Sequence, residues 1–421
     1  MQISPNVIEQ NKPVNYVLNL RNINHIESIE IFSKNDYFHT NNVEYKIQND
    51  AVLFTSTMPV IGEFIVKVNL SFDSYKKSKT LNLYCLDKDM IKLKPLKGDL
   101  HMHTIYSDGN RTPLAMCLHS LGLGYDFMSI TDHDCYEGSL EAIAKVKESN
   151  VDILVLPGEE ITVRKNETIN SHGNGHMLSI NANKSIEDQR TDSTIYVKEL
   201  EEIAQNIKND LVGKGIDPFD YARNIWAINK VKEANGIAIL CHPNWIYHNG
   251  KYHLNQPIYR ELLESSNLDG VEVIGDINKT EENNNMGYLT YIEVKDKHKY
   301  LSPLANSDAH DIDHNARERF TMVFAKDKTT EGITDAIKAG FTCAILKREN
   351  DEHQFVGKSH LSHYAYFLIK EYFPKHKHLK HKLSQLYLDE FINGERFESK
   401  INAVKTRLEN HANSFFRGTL K

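Results

Sequence analysis

The sequence has little of what marks several protein classes. Its five cysteines are scattered over 421 residues without a Cys-x-x-Cys pair, which favours free thiols in a reducing compartment over a disulfide framework. No apolar run approaches the roughly 20 residues that a membrane-spanning helix needs. The opening stretch, MQISPNVIEQNKP, lacks the basic and apolar regions of a signal peptide. We therefore expect a cytoplasmic protein that does not associate with membranes.

A surplus of positive charge is also missing. The chain has 50 Lys and Arg against 57 Asp and Glu, which gives a net charge of −7 at pH 7. This balance argues against a general nucleic-acid-binding protein. The hydrophobic fraction of 40% and the charged fraction of 25% are typical of a soluble globular protein. Nothing in the sequence indicates an oligomeric state.

The chain divides into three regions of different pattern. Residues 1–92 hold short alternating runs separated by Asn, Asp, Gly and Pro, which predicts an all-β, sandwich-like accessory domain. Residues 93–347 alternate apolar strands with helices, one of them beginning at Thr112-Pro113, which predicts a parallel α/β domain, open or closed into a barrel. Residues 348–421 are basic, aromatic and helical in pattern, and we expect a helical extension that packs on the central domain.

The segment GDLHMHTIYSDG, residues 98–109, places His101 and His103 two positions apart. With 21 histidines in the chain, about one such pair is expected by chance. In an extended segment, however, side chains at i and i+2 point to the same side, so both imidazoles can bind one ion. The segment KHKHLKH near the C-terminus lies in a helical context, where such positions face different directions.

Other residues of metal-ligating type lie at the ends of predicted strands. His133 follows FMSI, Glu160 follows ILVLPGE, His176 begins HMLSI and His242 follows IAILC. A parallel α/β barrel brings strand ends together at one mouth, so the pattern as a whole predicts a metal site. The candidate ligands are His101, His103, Asp108, His133, Glu160, His176, His242, Asp308 and His310.

Five short motifs are spaced along the central region. They are His101-Met-His103, Thr131-Asp132-His133, Pro157-Gly158-Glu159-Glu160, His242-Pro243 and Ser307-Asp308-Ala309-His310. They resemble, in the same order, the motifs of the polymerase-and-histidinol-phosphatase (PHP) superfamily. The resemblance covers about residues 96–345, is strongest to the metal-dependent phosphoesterases with accessory domains, and implies a distorted (β/α)7 barrel that holds two or three divalent ions.

The resemblance also implies how the ligands are shared among the ions. Mixed imidazole and carboxylate ligands suit zinc, manganese or iron, and the sequence does not choose among these metals. The implied sets are His101, His103, Glu160 and Asp308 for the first ion, Glu160, His176 and His242 for the second, and Asp108, His133 and His310 for the third.

Three positions leave alternatives open. Glu159 competes with Glu160 as the bridging ligand, and the family pattern Pro-Gly-x-Glu favours Glu160. His172 competes with His176, which directly adjoins its strand. Many family members have histidine where this chain has Asp108, which leaves open whether the third ion is bound.

The expected reaction is hydrolysis of a phosphate ester, either a small phosphomonoester or a nucleotide. Clustered divalent ions lower the pKa of bound water and hold phosphoryl oxygens, so a metal-bridging hydroxide would attack phosphorus and no protein nucleophile is needed. Asp132 is expected either to be structural or to orient a ligating imidazole, and Glu159 is expected to lie behind the ligands if Glu160 is the bridge. The candidates for substrate binding are Arg317, Arg319, Asn244 and His248.

Two other functions fit parts of the pattern. Amidohydrolases also begin with His-x-His on a barrel strand, but a lysine often bridges their ions where this chain has Glu160. A partner-binding module with a degenerate barrel is the second alternative. The complete set of candidate ligands, which includes His242 and Asp308, argues against degeneracy.

Overall fold

The computed structural model describes residues 1–36, 41–163, 175–190, 192–246, 250–275, 280–295, 301–312 and 319–417. Its contacts separate two compact units. The first comprises Met1–Lys94 and His363–Lys421, and the second comprises Pro95–Ser362.

Strands and helices alternate along the second unit, whereas the first unit has its strands at one end of the chain and its helices at the other. The strands are β1 (Gln2–Ser4), β2 (Val7–Glu9), β3 (Pro13–Asn19), β4 (Ile26–Ser33), β5 (Asn41–Asn42), β6 (Tyr45–Gln48), β7 (Ala51–Thr57), β8 (Gly62–Ser71), β9 (Lys76–Leu86), β10 (Lys94–Asp99), β11 (Phe127–Ser129), β12 (Leu154–Leu156), β13 (Gly158–Thr162), β14 (His176–Ile180), β15 (Ile237–Cys241), β16 (Gly270–Ile274), β17 (Ser302–Ala305), β18 (Arg319–Ala325), β19 (Thr342–Lys347) and β20 (His353–Gly357). The helices are α1 (Pro113–Gly122), α2 (Glu137–Glu148), α3 (Ser193–Ile207), α4 (Pro218–Glu233), α5 (Gln256–Ser265), α6 (Thr280–Val294), α7 (Thr330–Lys338), α8 (Ser359–Glu371), α9 (Phe373–Asn393) and α10 (Glu398–Arg417).

The N-terminal strands of the first unit form two sheets, in the orders β1-β3-β7-β6 and β2-β9-β8-β4-β5. Neighbouring strands are antiparallel except β2 and β9, which are parallel. In β8, Val66, Val68 and Leu70 are buried and the residues between them are partly exposed, as a period of two dictates. These side chains share one apolar cluster with Tyr16 and Phe54 of the other sheet.

The C-terminal helices belong to the same unit as these strands. The backbone N–H of Asn6 donates to the carbonyl oxygen of Phe415 over 2.8 Å. The Tyr84 ring lies 5.2 Å from the ring of Phe367 in α8. This differs from the predicted packing of the helices on the central domain, because their aromatic side chains contact Tyr84, on the face of β9 opposite Leu83 and Cys85, which belong to the apolar cluster between the two sheets.

The helical region also begins later in the structure than the predicted start at residue 348. Residues 353–357 form β20, which pairs with β19 in antiparallel register, Ile345 opposite Phe355. The short alternating sequence HQFVG suits an added strand, and the helical part starts at Ser359.

The second unit is a mixed α/β fold with two sheets, as its alternating pattern predicts. Their orders are β12-β11-β10-β18-β19-β20 and β13-β14-β15-β16-β17. Among the described residues these ladders do not close into a barrel. The expected uniform parallel arrangement is wrong for β14, which is antiparallel to both β13 and β15. Thr162 and His176 face each other in that ladder, a hairpin-like arrangement that needs no helical crossover.

Single bridges connect the two sheets just beyond the strand ends. Met102 pairs with Ala309, and His133 pairs with Glu160. The N–H of His103 donates to the carbonyl of Ala309 over 2.9 Å. Four short segments that carry candidate ligands are therefore tied together by backbone hydrogen bonds.

Local sequence signals place the helix starts. Helix α1 begins as predicted after Thr112, whose side chain accepts a hydrogen bond from the N–H of Ala115, with Pro113 at the first position. Helix α4 repeats this arrangement with Asp217 and Pro218. Along the described part of the chain, no helix combines the length and apolar character needed to cross a membrane.

Candidate metal centre

The strand ends bring the candidate ligands together. His101 follows β10, His133 follows β11 and His242 follows β15. His176 is the first residue of β14, yet it lies beside the last residue of β15, Cys241, because β14 runs in the opposite direction. The reversal of one strand explains how a residue at a strand start joins residues at strand ends.

Glu160 is the centre of this cluster and is completely buried. Its Oε2 lies 3.1 Å from His101 Nε2, 3.1 Å from His103 Nε2 and 3.2 Å from His133 Nδ1. Its Oε1 lies 2.8 Å from His176 Nδ1 and 3.0 Å from His242 Nε2. The two oxygens of one carboxylate thus face two separate groups of imidazoles, as a bridging ligand would.

Asp308 completes a first group of four side chains. Its Oδ1 lies 3.2 Å from His101 Nε2 and 2.9 Å from His103 Nε2. Together with Glu160 these residues form a buried group whose ligand atoms lie within 4.8 Å of one another. The structure brings together all four residues implied for the first ion.

A second group lies around Asp108, the most exposed of the candidate ligands. Its Oδ1 lies 3.2 Å from His310 Nε2, and its Oδ2 lies 3.7 Å from His133 Nε2. The Nδ1 of His310 lies 2.9 Å from the carbonyl oxygen of Asp308, which can only accept a hydrogen bond. A proton on Nδ1 donates to this carbonyl, and the other ring nitrogen, Nε2, faces Asp108. His103 adjoins the same group, so the three residues implied for the third ion are together.

Backbone strain accompanies two of the candidate ligands. His242 has a φ of 26° and Asp308 a φ of 54°, both in the left-handed region that residues other than glycine rarely adopt. Such strain is concentrated at functional sites, where the surrounding structure holds it. His242 directly follows β15, and Asp308 lies three residues after the end of β17.

Several of the facing atoms lie within hydrogen-bond distance of one another without the alignment of a hydrogen bond. Within the described part of the chain, these buried atoms are His101 Nε2, His103 Nε2, Glu160 Oε2 and Asp308 Oδ1. Buried polar atoms that lack a well-aligned partner are costly, and a cation between these four could bind them all.

The electrostatics of the cluster are strongly coupled. Although burial opposes charge on its ring, the carboxylates of Asp308 and Glu160 raise the pKa of His103 to about 10. Against the same effect of burial, the surrounding imidazoles hold the pKa of Glu160 well below its usual range. Burial lowers the pKa of His133 to about 4. The site therefore holds two buried carboxylates as anions and stabilises positive charge beside them.

These pKa shifts predict that metal binding releases protons. At pH 7 the raised pKa of His103, about 10, keeps its ring protonated, and a cation that binds Nε2 must displace that proton. We expect zinc to release at least one proton per molecule and to bind about tenfold more tightly per pH unit up to about pH 10. Titration calorimetry in buffers of different ionisation enthalpy measures this release, and a value of zero would contradict it.

Sequence reasoning missed Glu272, a buried carboxylate in the middle of β16. Its Oε1 lies 2.9 Å from His101 Nδ1 and accepts from the side chain of Asn306 over 2.8 Å. Its Oε2 accepts from the N–H of His242 over 2.9 Å. A charged residue inside the apolar strand GVEVI was the available signal. Glu272 orients His101 so that Nε2 faces the cluster.

Cys241 was also missed as a neighbour of the cluster. Its thiol lies 3.4 Å from Glu160 Oε1, and burial raises the pKa of the thiol well above its usual value. A protonated thiol donates to Glu160 and leaves that carboxylate as an anion.

The contacts of Asp132 fit the structural one of its two predicted roles, and Glu159 accepts from a hydroxyl and a backbone N–H. Asp132 accepts from the N–H and hydroxyl of Thr104, at 2.6 and 2.7 Å, and from the hydroxyl of Ser107 at 2.7 Å. It reaches His103 only through Ser107, whose Oγ lies 3.4 Å from His103 Nδ1. Glu159 accepts hydrogen bonds from Ser185 and from the N–H of Ile186. Glu160, and not Glu159, faces the histidines.

Two of the predicted substrate-binding residues are described. Asn244 is 3% exposed, and neither atom of its side-chain amide has a hydrogen-bond partner among the described residues. Arg319 begins β18 and is 2% exposed. Arg317 and His248, and also the alternative ligand His172, lie outside the described residues.

Comparisons with known proteins give partial matches. No family model matches the chain. A stretch of 96 residues, 22% of this chain, is 30% identical to the DNA polymerase/3′-5′ exonuclease PolX of Bacillus subtilis. It spans 17% of the length of that protein.

Solved structures with similar parts include PHP-like proteins. A two-domain protein from Bacteroides vulgatus, described as containing a predicted PHP-like metal-dependent phosphoesterase, is 19% identical with a TM-score of 0.41, covering 60% of this chain and 65% of that one. A protein from Bifidobacterium adolescentis, described as a metal-dependent phosphoesterase, is 22% identical with a TM-score of 0.34, covering 51% and 87%. An amidohydrolase from Chromobacterium violaceum is 17% identical with a TM-score of 0.34, covering 52% and 89%. The chain is similar to PHP-like proteins, as its motifs predict, and these matches cover part of its length.

Proposed function

We propose that this PHP-like chain is a metal-dependent hydrolase of phosphate esters. The observation that carries the proposal is the ring of five imidazoles around the completely buried Glu160. An ordinary buried carboxylate is satisfied by one or two hydrogen-bond donors. This one faces five groups of metal-ligating type, and several of the facing atoms have no hydrogen-bond partner among the described residues.

The chemistry of the side chains fits divalent cations. The first position would use His101, His103, Glu160 and Asp308, which form one buried group. The second would use the other oxygen of Glu160 with His176 and His242, and the third would use Asp108, His133 and His310. Imidazole with carboxylate suits zinc, manganese or iron.

Divalent ions bound here would lower the pKa of water and neutralise the oxygens of a phosphoryl group. The chain's own residues fix the geometry of that chemistry. Glu272 orients His101 and supports the backbone of His242, and Asp132 holds the turn that carries Thr104 and Ser107. These groups are buried, so the ligands are preorganised before substrate arrives.

The described residues also suggest how substrate is bound. The amide of Asn244 is buried and has no hydrogen-bond partner among the described residues, so it is available to a polar group of a ligand. Arg319 provides a guanidinium, which suits bidentate contact with phosphate. Arg317 and His248 stay candidates from the sequence. A small phosphomonoester or a nucleotide is the proposed substrate.

We further propose that the second unit is a distorted (β/α)7 barrel closed only at the end that carries the ligands. The support is the pair of bridges, Met102 with Ala309 and His133 with Glu160, which join the two sheets there. Closure at this end alone would leave the ligand-bearing segments fixed.

The direct test measures metal content and turnover on one preparation. Mass spectrometry should find two or three divalent ions per chain, and p-nitrophenyl phosphate or bis-p-nitrophenyl phosphate should be hydrolysed in a chelator-sensitive manner. His103→Ala and Asp308→Ala should each lower turnover by about 1000-fold or more, because both residues face the centre of the cluster. His381→Ala, an exposed histidine of α9, should change neither quantity.

Two results would contradict the proposal in different ways. Absence of bound metal in the unmodified protein would exclude a metal centre and favour a binding function. Bound metal with hydrolysis of amide or lactone substrates, and of neither phosphate ester, would favour an amidohydrolase.

A further inference from the structure

One buried histidine beside the cluster has no place in the ligand sets above. His253 lies in a loop between Trp245 and α5, and is 4% exposed. Its N–H donates to the carbonyl oxygen of Trp245 over 2.8 Å, and the neighbouring residues Ile246 and Tyr252 form a bridge. Trp245 and Ile246 are thereby paired with His253 and Tyr252, and the imidazole of His253 lies beside those of His176 and His242.

We propose that His253 is a further protein ligand of the second ion, beside His176 and His242. These three side chains form a buried group in which one ligand atom from each lies within 4.8 Å of the others. The ring of His253 lies 4.2 Å from that of His176 and 5.9 Å from that of His242, measured between centroids. Ligands of a tetrahedral ion lie about 3.4 Å apart, so a small adjustment brings the three nitrogens onto one cation.

The inference rests on the proposed function. It makes the first and second metal positions chemically different. The first position would have two imidazoles and two carboxylates, whereas the second would have three imidazoles and one carboxylate. Imidazole favours zinc, and carboxylate favours manganese and magnesium. The second position would therefore bind zinc more tightly and with greater selectivity than the first.

The surroundings of His253 suit a buried ligand. The indole ring of Trp245 lies 4.9 Å from the ring of His253, 5.4 Å from that of His242 and 6.2 Å from that of His176. An aromatic face beside three imidazoles limits the access of water to them, and a hydrophobic shell of this kind strengthens metal binding.

The test compares metal retention in His253→Ala, His253→Gln and Tyr252→Phe, a control in the same loop. Each protein is stripped with a chelator, reloaded with zinc or with manganese alone, and titrated with a competing chromophoric chelator. We expect both His253 variants to lose about 100-fold or more in the affinity of one zinc ion, and the affinities of the other ions to change by less than about twofold. The increase in Tm that zinc produces should shrink in the same variants, whereas manganese, which imidazole favours less, should lose less affinity than zinc.

The outcomes separate this inference from the proposed function. Unchanged zinc affinities in both His253 variants would overturn the inference while leaving the metal centre in place. Failure of the unmodified protein to bind any metal would overturn the proposed function as well. His176→Ala serves as the reference, because it should remove the second ion whether or not His253 binds it. If His253→Ala does not fold, His253→Gln, which keeps most of the side-chain volume, decides.

Discussion

Glu160→Gln is expected to lower turnover by about 1000-fold or more and to remove at least one metal ion. The substitution keeps the shape of the side chain but replaces a charge-bearing oxygen by an amide group. Since Oε1 and Oε2 face different groups of imidazoles, either orientation of the amide turns an N–H₂ toward one of them. An N–H₂ cannot bind a cation, so one position loses its shared ligand.

Glu159→Gln is the matched variant for this prediction. The two carboxylates are adjacent in the chain and both completely buried, but Glu159 accepts from Ser185 and from the N–H of Ile186. We expect Glu159→Gln to keep its full metal content, measured by mass spectrometry on gel-filtered protein. Loss of metal from Glu159→Gln, with retention in Glu160→Gln, would exchange the roles of the two residues.

Glu272→Gln should weaken metal binding by about 10- to 100-fold without touching a ligand. The Glu272 carboxylate accepts hydrogen bonds from His101 Nδ1, from the side chain of Asn306 and from the N–H of His242. One residue therefore orients two candidate ligands, His101 and His242, which follow different strands. The glutamine amide can accept hydrogen bonds from some of these donors but not from all of them. Without the negative charge of Glu272, the His101 ring is also less polarised, which makes its Nε2 a poorer ligand.

Glu261→Gln is the appropriate control for Glu272→Gln. Glu261 is a buried carboxylate of the same unit, 6% exposed, and is paired with Lys214 at 2.6 Å. Competition with a chromophoric chelator measures the metal affinity of both variants. Equal affinities in Glu272→Gln and the unmodified protein would show that His101 is held by packing alone.

Local patterns predicted much of the candidate site because most of its residues lie in or just after short apolar strands. The run IAILC before His242 and the run SPLA before Asp308 are short, buried strands that the sequence marks directly. The start of α1 at Thr112-Pro113 is equally local. Each of these signals depends only on residues that are close together in the sequence.

The remaining features depend on contacts between distant residues. Glu272 and His101 are 171 residues apart, and nothing near either one predicts that they meet. The direction of β14 is set by its ladders with β13 and β15, which an apolar run alone does not specify. The pattern of the C-terminal helices does not specify which unit they pack on, and their aromatic residues contact Tyr84 of the N-terminal strands.

The first unit is built from both ends of the chain, which has a consequence for how it is made. The ribosome releases the N-terminal strands first, and residues 95–362 must be synthesised before the helices that complete their unit appear. The hydroxyl of Ser4 finds its acceptor, the carbonyl of Ser414, only after a further 410 residues have been synthesised. The second unit can therefore fold while the nascent first unit still lacks its helices, and a truncation before these helices would leave Ser4 and Tyr84 at the other end of the unit without partners.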